Sequence, residues 1–202
     1  MTVAPDGRSL RNEVVRLDRL VAADIEPLYA AVGNEQVYAT SFGGGPAGLP
    51  ASADELRSTY LPAPSGRITY VVRLAADGPL GASGTVVGTT GLSAIDLVNE
   101  SIHVGGTGYA PSVWGTAVNP SCKLLLLEHA FEVCGFGRVQ IQTGSKNTQS
   151  QAAIAKLGAT REGVLRRHMR LADGSFRDTV VFSILADEWP DLRKRLEQRI
   201  SR

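Results

Sequence analysis

Cysteine is scarce in this sequence, and its two cysteines are predicted to lie too far apart for a disulfide. Cys122 and Cys134 are the two among 202 residues. Both fall on one predicted helix, whose rise separates them by about 18 Å, which a disulfide does not span. Neither has a histidine or a second cysteine at metal-ligand spacing. We therefore expect no metal site and assign both cysteines to packing.

A surplus of charge and a long apolar run are also absent. The 21 Lys and Arg residues nearly balance the 20 Asp and Glu residues, which leaves a net charge of +1. That balance gives no reason to expect a nucleic-acid partner. No apolar run reaches the length of about 18 residues that a membrane span needs, and residues 1–11 lack the apolar centre of a signal peptide. We expect a cytoplasmic protein without nucleic-acid or membrane partners.

What the sequence does contain is enough apolar residues, 43% of the chain, for one domain with a sizeable core. We expect a flexible N-terminus at 1–12 and a single domain at 13–202. Strands are predicted at 14–20, 68–75, 86–95, 100–109, 138–143, 164–171 and 178–185, and helices at 22–32, 53–60, 118–134, 147–157 and 186–200. Short links between the second, third and fourth strands favour an antiparallel meander, and the later strand–helix alternation favours a parallel crossover.

The stretch from Glu100 to Lys123 organises the rest of the chain. It reads as a strand, a loop and the first turn of a helix, with the small residues Gly115 and Ala117 just before the helix. Small residues let backbone amides approach a ligand, and the free amides and dipole of a helix N-terminus favour a phosphate. The spacing matches neither a Walker loop nor a dinucleotide fingerprint. Because the same pattern also turns corners in many folds, both interpretations stay open here.

A second irregular segment, Gly33–Ser52, is rich in glycine and proline. Such a segment is typical of a mobile loop beside a ligand site, and equally of a plain surface loop. The sequence leaves open whether it becomes ordered when a substrate binds.

Three stretches, with the order of the predicted elements, resemble the GNAT acetyltransferases. They are W-G-T-A-V-N at 114–119 followed by Lys123, N-T-Q-S-Q-A-A-I-A-K-L-G-A at 147–159, and E-G-V-L-R-R-H at 162–168. They are most similar to the branch of the ribosomal-protein N-terminal acetyltransferases RimJ and RimL. The resemblance covers most of residues 13–190. It implies an α/β (α+β) fold with a mixed seven-stranded sheet, antiparallel in its first half, splayed between strands 4 and 5 and flanked by helices.

The resemblance also implies an acetyl-CoA cleft where those two strands part. The cofactor-binding residues that it implies are Tyr109, Ala110, Trp114, Gly115, Thr116, Ala117, Val118, Asn119, Asn147 and Ser150. The amides of residues 114–118 would cradle the pyrophosphate. The exposed backbone of Tyr109 and Ala110 would pair with the pantetheine arm like an added strand.

For three polar residues near this cleft, the sequence leaves two roles open. Asn147 would hydrogen-bond the pantetheine arm, or it only caps the helix that follows. Asn119 and Lys123 would reach the phosphates, or they are solvated helix residues.

The chain departs from the family pattern at several positions. Ser112 replaces the usual Arg or Gln near the loop, and no tyrosine between Ser150 and Leu157 is available to protonate the CoA thiolate. Gly106 and Gly108 stand where relatives often carry aromatic residues, which implies a more open pocket or a different acceptor. Ser150 lies on the inward stripe of its helix. Its hydroxyl either replaces the missing tyrosine or simply allows tight packing.

Two residues are candidates for the general base. His103 lies where relatives often carry glutamate, on a predicted strand face shared with Ser101 and Thr107. It precedes the Gly105–Gly106 pair, where the strand is expected to bulge towards the acceptor. An imidazole can accept a proton near neutral pH. Glu162 competes for the role, and a structural role for each residue stays open.

These observations predict an acetyl-CoA-dependent N-acetyltransferase without a metal cofactor. The acetyl group would pass directly, in a ternary complex, to a primary amine of a protein N-terminus or a small molecule. A backbone N–H near residues 105–109 would stabilise the oxyanion. The alternatives are an acyl-CoA-binding sensor without turnover and an unrelated α/β structural domain. The sequence leaves the acceptor and homodimer formation open.

Overall fold

One mixed sheet organises the computed structural model, which describes residues 1–39 and 42–201. Its strands are β1 (Leu10–Arg11), β2 (Val15–Arg19), β3 (Ile68–Leu74), β4 (Val86–Asp96), β5 (Ser101–Tyr109), β6 (Arg138–Gly144), β7 (Thr160–Arg170) and β8 (Phe176–Leu185). Their order in the sheet is β1-β2-β3-β4-β5-β6-β8-β7. All neighbouring pairs are antiparallel except β5 and β6, which are parallel. The predicted antiparallel first half and mixed sheet are confirmed.

The helices pack on the two faces of this sheet. They are α1 (Ile25–Val32), α2 (Glu35–Tyr38), α3 (Ala53–Tyr60), α4 (Val118–Glu128), α5 (Thr148–Leu157) and α6 (Trp189–Ile200). A π turn, His129–Val133, extends α4. No described helix is both long enough and apolar enough to cross a membrane.

The described residues contain eight strands where the sequence predicts seven. The additional strand, β1, is two residues long and pairs with β2 at the edge of the sheet. It lies within the N-terminus that we expected to be flexible, and the Val3 N–H also donates to the Cys134 carbonyl at 2.9 Å. The segment is too short and too polar for a period-2 pattern to reveal it. The flexibility of residues 1–12 stays a prediction.

The two helical faces enclose two apolar cores. The larger contains the inward residues of α4, α5 and α6, and the smaller lies under α1 and α3. Cys122 and Cys134 are both buried and free, in the larger core. Leu125, Leu126 and Leu127 are buried in succession, because α4 is covered on most of its sides.

The glycine-rich segment forms more regular structure than the sequence suggests. It contains α2 and two 3-10 turns, Phe42–Gly44 and Pro46–Gly48. Thr40 and Ser41, which belong to the predicted loop, lie outside the described residues.

A bulge interrupts β5 at the predicted place. Gly91 of β4 is opposite Gly105 and Thr89 is opposite Gly108, so β5 has one residue more than β4 between these pairs. Gly106, at the bulge, has φ +61°, a conformation that favours glycine.

The bulge also overturns the predicted sharing of one face by His103 and Thr107. The Thr107 hydroxyl contacts Thr90 and Lys123 of α4, whereas His103 contacts Ser93. Because an inserted residue shifts the alternation by one, the two side chains lie on opposite faces.

The parallel pair opens beyond its first residues. Ser101, Ile102 and His103 pair with residues 138–140, and the described pairing of β5 with β6 ends there. The rest of β5 has no described pairing with β6, whose other edge pairs with β8 along its whole length. The fourth and fifth predicted strands are β5 and β6 of the structure. The splay predicted between them is confirmed, and it creates a cleft.

Candidate active site

The cleft between the diverging strands has a volume of about 790 Å³. Its wall includes the end of β5, the loop before α4 and most of the length of α5. On the other side it includes the 3-10 turn Phe42–Gly44, the end of α3 and the end of β7. One continuous space therefore joins the loop before α4 to the bulge of β5.

The loop before α4 offers fewer free amides than expected. The Trp114 N–H donates to the Pro111 carbonyl, and the Thr116 and Val118 N–H groups make long bonds of 3.4 and 3.3 Å to the Val113 carbonyl and to Oγ1 of Thr116. The amides of Gly115 and Ala117 have no hydrogen-bond partner in the described part of the chain. These two amides, rather than all five, are available to a ligand.

Gly115 is suited to the close approach of a ligand. Its φ is +77°, and no heavy atom lies within 4 Å of where a Cβ atom would stand. The glycine is therefore required by the backbone conformation and also leaves open space above the amide. The chemistry of this loop, free amides with no side chain over them, fits a phosphate group.

The end of β5 departs from the expected arrangement. Trp114 folds back, and its indole Nε1 donates to the Tyr109 carbonyl at 2.9 Å. The Ala110 N–H donates to the Val87 carbonyl at 2.8 Å. Ala110 lines a separate cavity on the other side of this loop. The Ala110 N–H is therefore not free to pair with a pantetheine arm, because it already bonds to the strand β4.

Asn147 and Ser150 meet at the start of α5, beside the cleft. Oδ1 of Asn147 accepts from the Ser150 N–H at 2.9 Å, which caps the helix as the alternative interpretation holds. Asn147, Ser150 and Asn119 all line the cleft. Ser150 is half-buried on the inward stripe with Ala153, as predicted. Ala117 and Val118 are outside the cleft wall, although the Ala117 amide belongs to the loop beside it.

His103 lines the cleft next to the bulge. Its Nδ1 lies 3.0 Å from Oγ of Ser93, and its Nε2 is buried without a hydrogen-bond partner among the described residues. Burial, with the positive charges of Lys123 and Arg67, lowers the pKa of His103 to about 4. The imidazole is therefore neutral at pH 7. In the tautomer whose Nδ1 carries the proton and donates to Ser93, the unpartnered Nε2 is able to accept a hydrogen bond.

Glu162 lies outside the cleft wall. It forms a two-bond ion pair with Arg138, with Nη1 to Oε1 at 2.6 Å, and it accepts from the Ser183 hydroxyl at 2.9 Å. The Arg138 contact lowers the pKa of the carboxyl group. These bonds tie β7 to β6 and β8, so the structure gives Glu162 a structural contact rather than the position of a general base.

Lys123 is the residue whose position the sequence reasoning missed. It is 5% exposed, and its Nζ donates to Oγ1 of Thr107 at 3.0 Å inside the cleft. Burial lowers the pKa of Lys123 to about 8. The four leucines that follow it could have revealed this burial, because they indicate a helix covered on most sides.

The glycines of β5 do not open the pocket as expected. A Cβ atom on Gly108 would meet the ring of Phe42, and one on Gly106 would meet the guanidinium of Arg67. Side chains from distant parts of the chain therefore fill the space left by these glycines.

The charges of the cleft wall all have one sign. Its cationic residues are Arg67, Lys123, Lys156, Arg170, Arg177 and Arg199, and no Asp or Glu belongs to the described wall. None of the six forms an ion pair within residues 1–39 and 42–201. Nor do the described residues contain a group of three or more His, Cys, Asp or Glu side chains placed to hold a metal. The cleft is built for an anionic ligand.

Comparison with known proteins agrees with this geometry. Residues 15–160 match the family model described as an acetyltransferase (GNAT) domain. The chain is 29% identical over 140 residues to YdaF of Bacillus subtilis (strain 168), a candidate ribosomal N-acetyltransferase, and the match covers 69% of this chain and 74% of YdaF.

Solved structures give the same answer. A candidate acetyltransferase from T. thermophilus superposes with a TM-score of 0.83 at 33% identity, covering 99% of this chain and 100% of the other. Mycobacterium smegmatis RimJ, solved in complex with CoA-disulfide, has the same fold, with a TM-score of 0.69 at 21% identity, covering 95% of this chain and 92% of RimJ. The chain therefore belongs to the GNAT acetyltransferase family.

Proposed function

We propose that the protein is an acetyl-CoA-dependent N-acetyltransferase that transfers the acetyl group directly to a primary amine. One observation carries the proposal: a continuous cleft leads from the loop with the free amides of Gly115 and Ala117 to the bulge of β5, and both His103 and Lys123 line it. The name of YdaF and the CoA bound to RimJ support the same chemistry.

In this proposal the cofactor lies along the wall formed by the end of β5, the loop before α4 and the start of α5. The Gly115 and Ala117 amides bind a phosphate, with Asn119 beside them. Asn147 lines the path of the pantetheine arm while it caps α5. The hydrogen bond from the Trp114 indole to the Tyr109 carbonyl holds Trp114 against the end of β5. Acetyl-CoA supplies the activated acetyl group as a thioester.

The attacking amine must reach the thioester as the neutral base. The unpartnered Nε2 of His103 accepts its proton, directly or through water. The imidazole is neutral at pH 7, because burial lowers its pKa to about 4. The same low pKa makes His103 a weak base. We therefore assign it the role of accepting the amine proton briefly, without remaining protonated.

Negative charge then develops on the carbonyl oxygen and on the departing sulfur. A backbone N–H of residues 105–109 donates to the oxygen, and the Lys123 ammonium stabilises it electrostatically from the floor of the cleft. The Ser150 hydroxyl, on the inward side of α5, donates to the sulfur.

Direct transfer needs no covalent enzyme intermediate. Cys122 is fully buried, and burial raises the pKa of its thiol to about 11. Thiolate is the nucleophilic form of cysteine, so this thiol is unsuited to accept the acetyl group.

A thiol-release assay tests the proposal. Purified protein is mixed with acetyl-CoA and a panel of primary amines, and free CoA is measured over time. We expect release that depends on an added amine, with a matching acetylated product by mass spectrometry. Binding of acetyl-CoA with no amine-dependent release would instead indicate a sensor that does not turn over.

A further inference from the structure

One half of the cleft carries positive charges that the cofactor loop does not account for. We call it the acceptor half, and it consists of Phe42–Gly44, Tyr60, Arg67, the β5 bulge, Met169–Leu171 and Arg177. Two of its side chains contact β5 at or near the bulge, because the Phe42 ring lies beside Gly108 and the Arg67 guanidinium lies beside Gly106. A group that approaches the bulge from this half of the cleft therefore meets these side chains.

Arg67 is held against the bulge itself. Its guanidinium lies over the Tyr60 ring, 5.9 Å from the centroid, and occupies the space beside Gly106. Its charge is felt at His103, whose pKa it helps to lower. The planar guanidinium presents several N–H donors, an arrangement that suits a carboxylate or a phosphate.

Arg177 adds a second positive charge, and it is poorly satisfied. It is half-buried, and its Nε has no hydrogen-bond partner in the described part of the chain. One Nη donates to the Met169 sulfur at 3.0 Å, a weak acceptor. Burial lowers the pKa of the guanidinium. A buried charge in such surroundings is stabilised by an anion that supplies the missing acceptor.

A polycationic acceptor would enter this space against repulsion. The described wall contains no Asp or Glu that could bind an additional ammonium group. Like charges a few ångströms apart repel strongly when partly shielded from water. An acceptor with an anionic group would instead neutralise the guanidinium groups while its amine points at the bulge.

The acceptor half is also partly covered. The Ala172 N–H, at the tip of the β7–β8 hairpin, donates to the Gly44 carbonyl at 3.3 Å. This contact joins the hairpin to the 3-10 turn Phe42–Gly44 above Gly108. The joined segments favour a small acceptor over a folded protein surface.

We infer that the acceptor is a small primary amine that also carries an anionic group, a carboxylate or a phosphate, and that Arg67 and Arg177 determine this specificity. The inference rests on the proposed function, since it assumes that an amine is acetylated in this cleft.

Two matched pairs of amines test the inference. O-phosphoethanolamine is compared with ethanolamine, and β-alanine with β-alaninamide, at equal concentrations of free amine. We expect kcat/KM to be at least about tenfold higher for the anionic member of one pair or both, the scale of one charge-assisted hydrogen bond. The pair with the larger ratio identifies phosphate or carboxylate as the preferred group.

Variants of Arg67 and Arg177 test whether these two residues cause the preference for the anionic amine. In Arg67→Gln and Arg177→Gln the anionic preference should fall towards one, whereas Arg67→Lys should retain part of it. Arg166→Gln, on the exposed part of β7 and outside the cleft wall, is the matched control and should leave the preference unchanged.

Several outcomes would overturn the inference. Equal kcat/KM within both pairs, a faster rate with spermidine, or an anionic preference that survives both Gln variants would each reject it while leaving N-acetylation intact. If no amine is acetylated, the proposed function fails. Calorimetry with CoA-loaded protein then tests the anion selectivity assigned to Arg67 and Arg177 by itself, because tighter binding of O-phosphoethanolamine than of ethanolamine supports that selectivity and equal binding rejects it.

Discussion

Arg73 and Arg193 lie outside the cleft and contact carboxylates, whereas Lys123 and Arg67 line the cleft and contact none. Arg193 reaches Glu128, Glu132 and Glu197 at distances of 3.1, 2.7 and 2.9 Å. Arg73 pairs with Asp24 and Asp18.

The comparison shows where in the fold positive charge is left without a carboxylate partner. The net charge is only +1, yet the cleft wall contains six cations and no described carboxylate. Surface ion pairs such as those of Arg193 contribute little to stability. An unpaired buried ammonium such as Lys123 opposes folding. Retaining it inside the cleft is best explained by a negative charge that arrives with the ligand or develops during the reaction.

Removing the buried ammonium should have the largest effect. Lys123→Met keeps the volume and removes the charge, so we expect kcat to fall by between about 10² and 10³, as when an oxyanion donor is lost. Lys146→Met, on the exposed turn before α5, should leave kcat unchanged.

The melting temperature of Lys123→Met should equal or exceed that of the parent, because an unpaired buried charge is gone. A kcat within twofold of the parent would remove Lys123 from the mechanism.

The second prediction concerns His103. His103→Ala should lower kcat/KM by about 10², the usual scale for a general base. Because burial lowers its pKa to about 4, the imidazole is neutral from pH 5.5 to 7.5. The ratio of parent to variant kcat/KM should therefore be constant across that window.

Comparing the two proteins at each pH cancels the ionisation of the acceptor amine. A ratio that rises with pH through about 6.5, the ordinary imidazole pKa, would contradict the burial of His103 seen here. A parent-to-variant ratio near one at every pH would show that His103 has only a structural role.

The fold was largely predictable from the sequence, because short-range patterns identify its elements. The run of β-branched and aromatic residues in β3 and the apolar run of α4 are examples. The bulge of β5 was expected from Gly105–Gly106. Its consequence for Thr107 was not, because an alternation rule gives no warning when a residue is inserted.

The site was predictable only in part, because its walls come from distant segments. Gly115 and Asn147 were found through sequence stretches typical of the family. Arg67 reaches the bulge across the fold from the end of the α3–β3 connection, and no local pattern predicts that contact. Glu162 attracted attention as a carboxylate near the expected acceptor side, but its long-range partner Arg138 was invisible in the sequence.

The third prediction tests the cofactor loop. Gly115→Val places a side chain over a free amide, so the Kd for acetyl-CoA should rise about tenfold or more, equivalent to about 1.4 kcal/mol. Calorimetry measures the change. Gly84→Val is the matched control, since Gly84 has a similar φ of +85° and equally open surroundings outside the main cleft.

The control separates loop strain from ligand exclusion. Both variants should lose stability, because a β-branched residue is strained at positive φ. Unchanged acetyl-CoA affinity in a folded Gly115→Val protein would reject this loop as the phosphate site.

A smaller effect is expected at Ser150. Ser150→Ala should lower kcat by about tenfold, the loss of one hydrogen bond to a charged group, with an unchanged Kd for acetyl-CoA. Thr148→Ala, exposed in the same first turn of α5, is the control. If kcat of Ser150→Ala stays within twofold of the parent, Ser150 serves packing alone.

Replacing Glu162, whose carboxylate is paired with Arg138 outside the cleft, should have the smallest effect on catalysis. Glu162→Gln should keep kcat within twofold, and it should cost less than about 1 kcal/mol of stability, because the ion pair with Arg138 is partly solvated. The folded-state pKa of Glu162 is lowered. Its contribution is therefore present above the unfolded pKa near 4.5 and is lost as the pH falls below it.

Thermal melts of both proteins at a series of pH values check this point. The difference in melting temperature should shrink as the pH falls through the region of about 4.5 and below. A large loss of kcat would restore Glu162 as a base and contradict its assignment to the strand contact.

The most direct test of the central claim is a crystal structure of the protein with acetyl-CoA. The account predicts the pyrophosphate against the Gly115 and Ala117 amides, with the thioester in the cleft between the β5 bulge and Ser150, within reach of Lys123. Acetyl-CoA bound elsewhere, or bound with its thioester directed away from the bulge and Lys123, would contradict it.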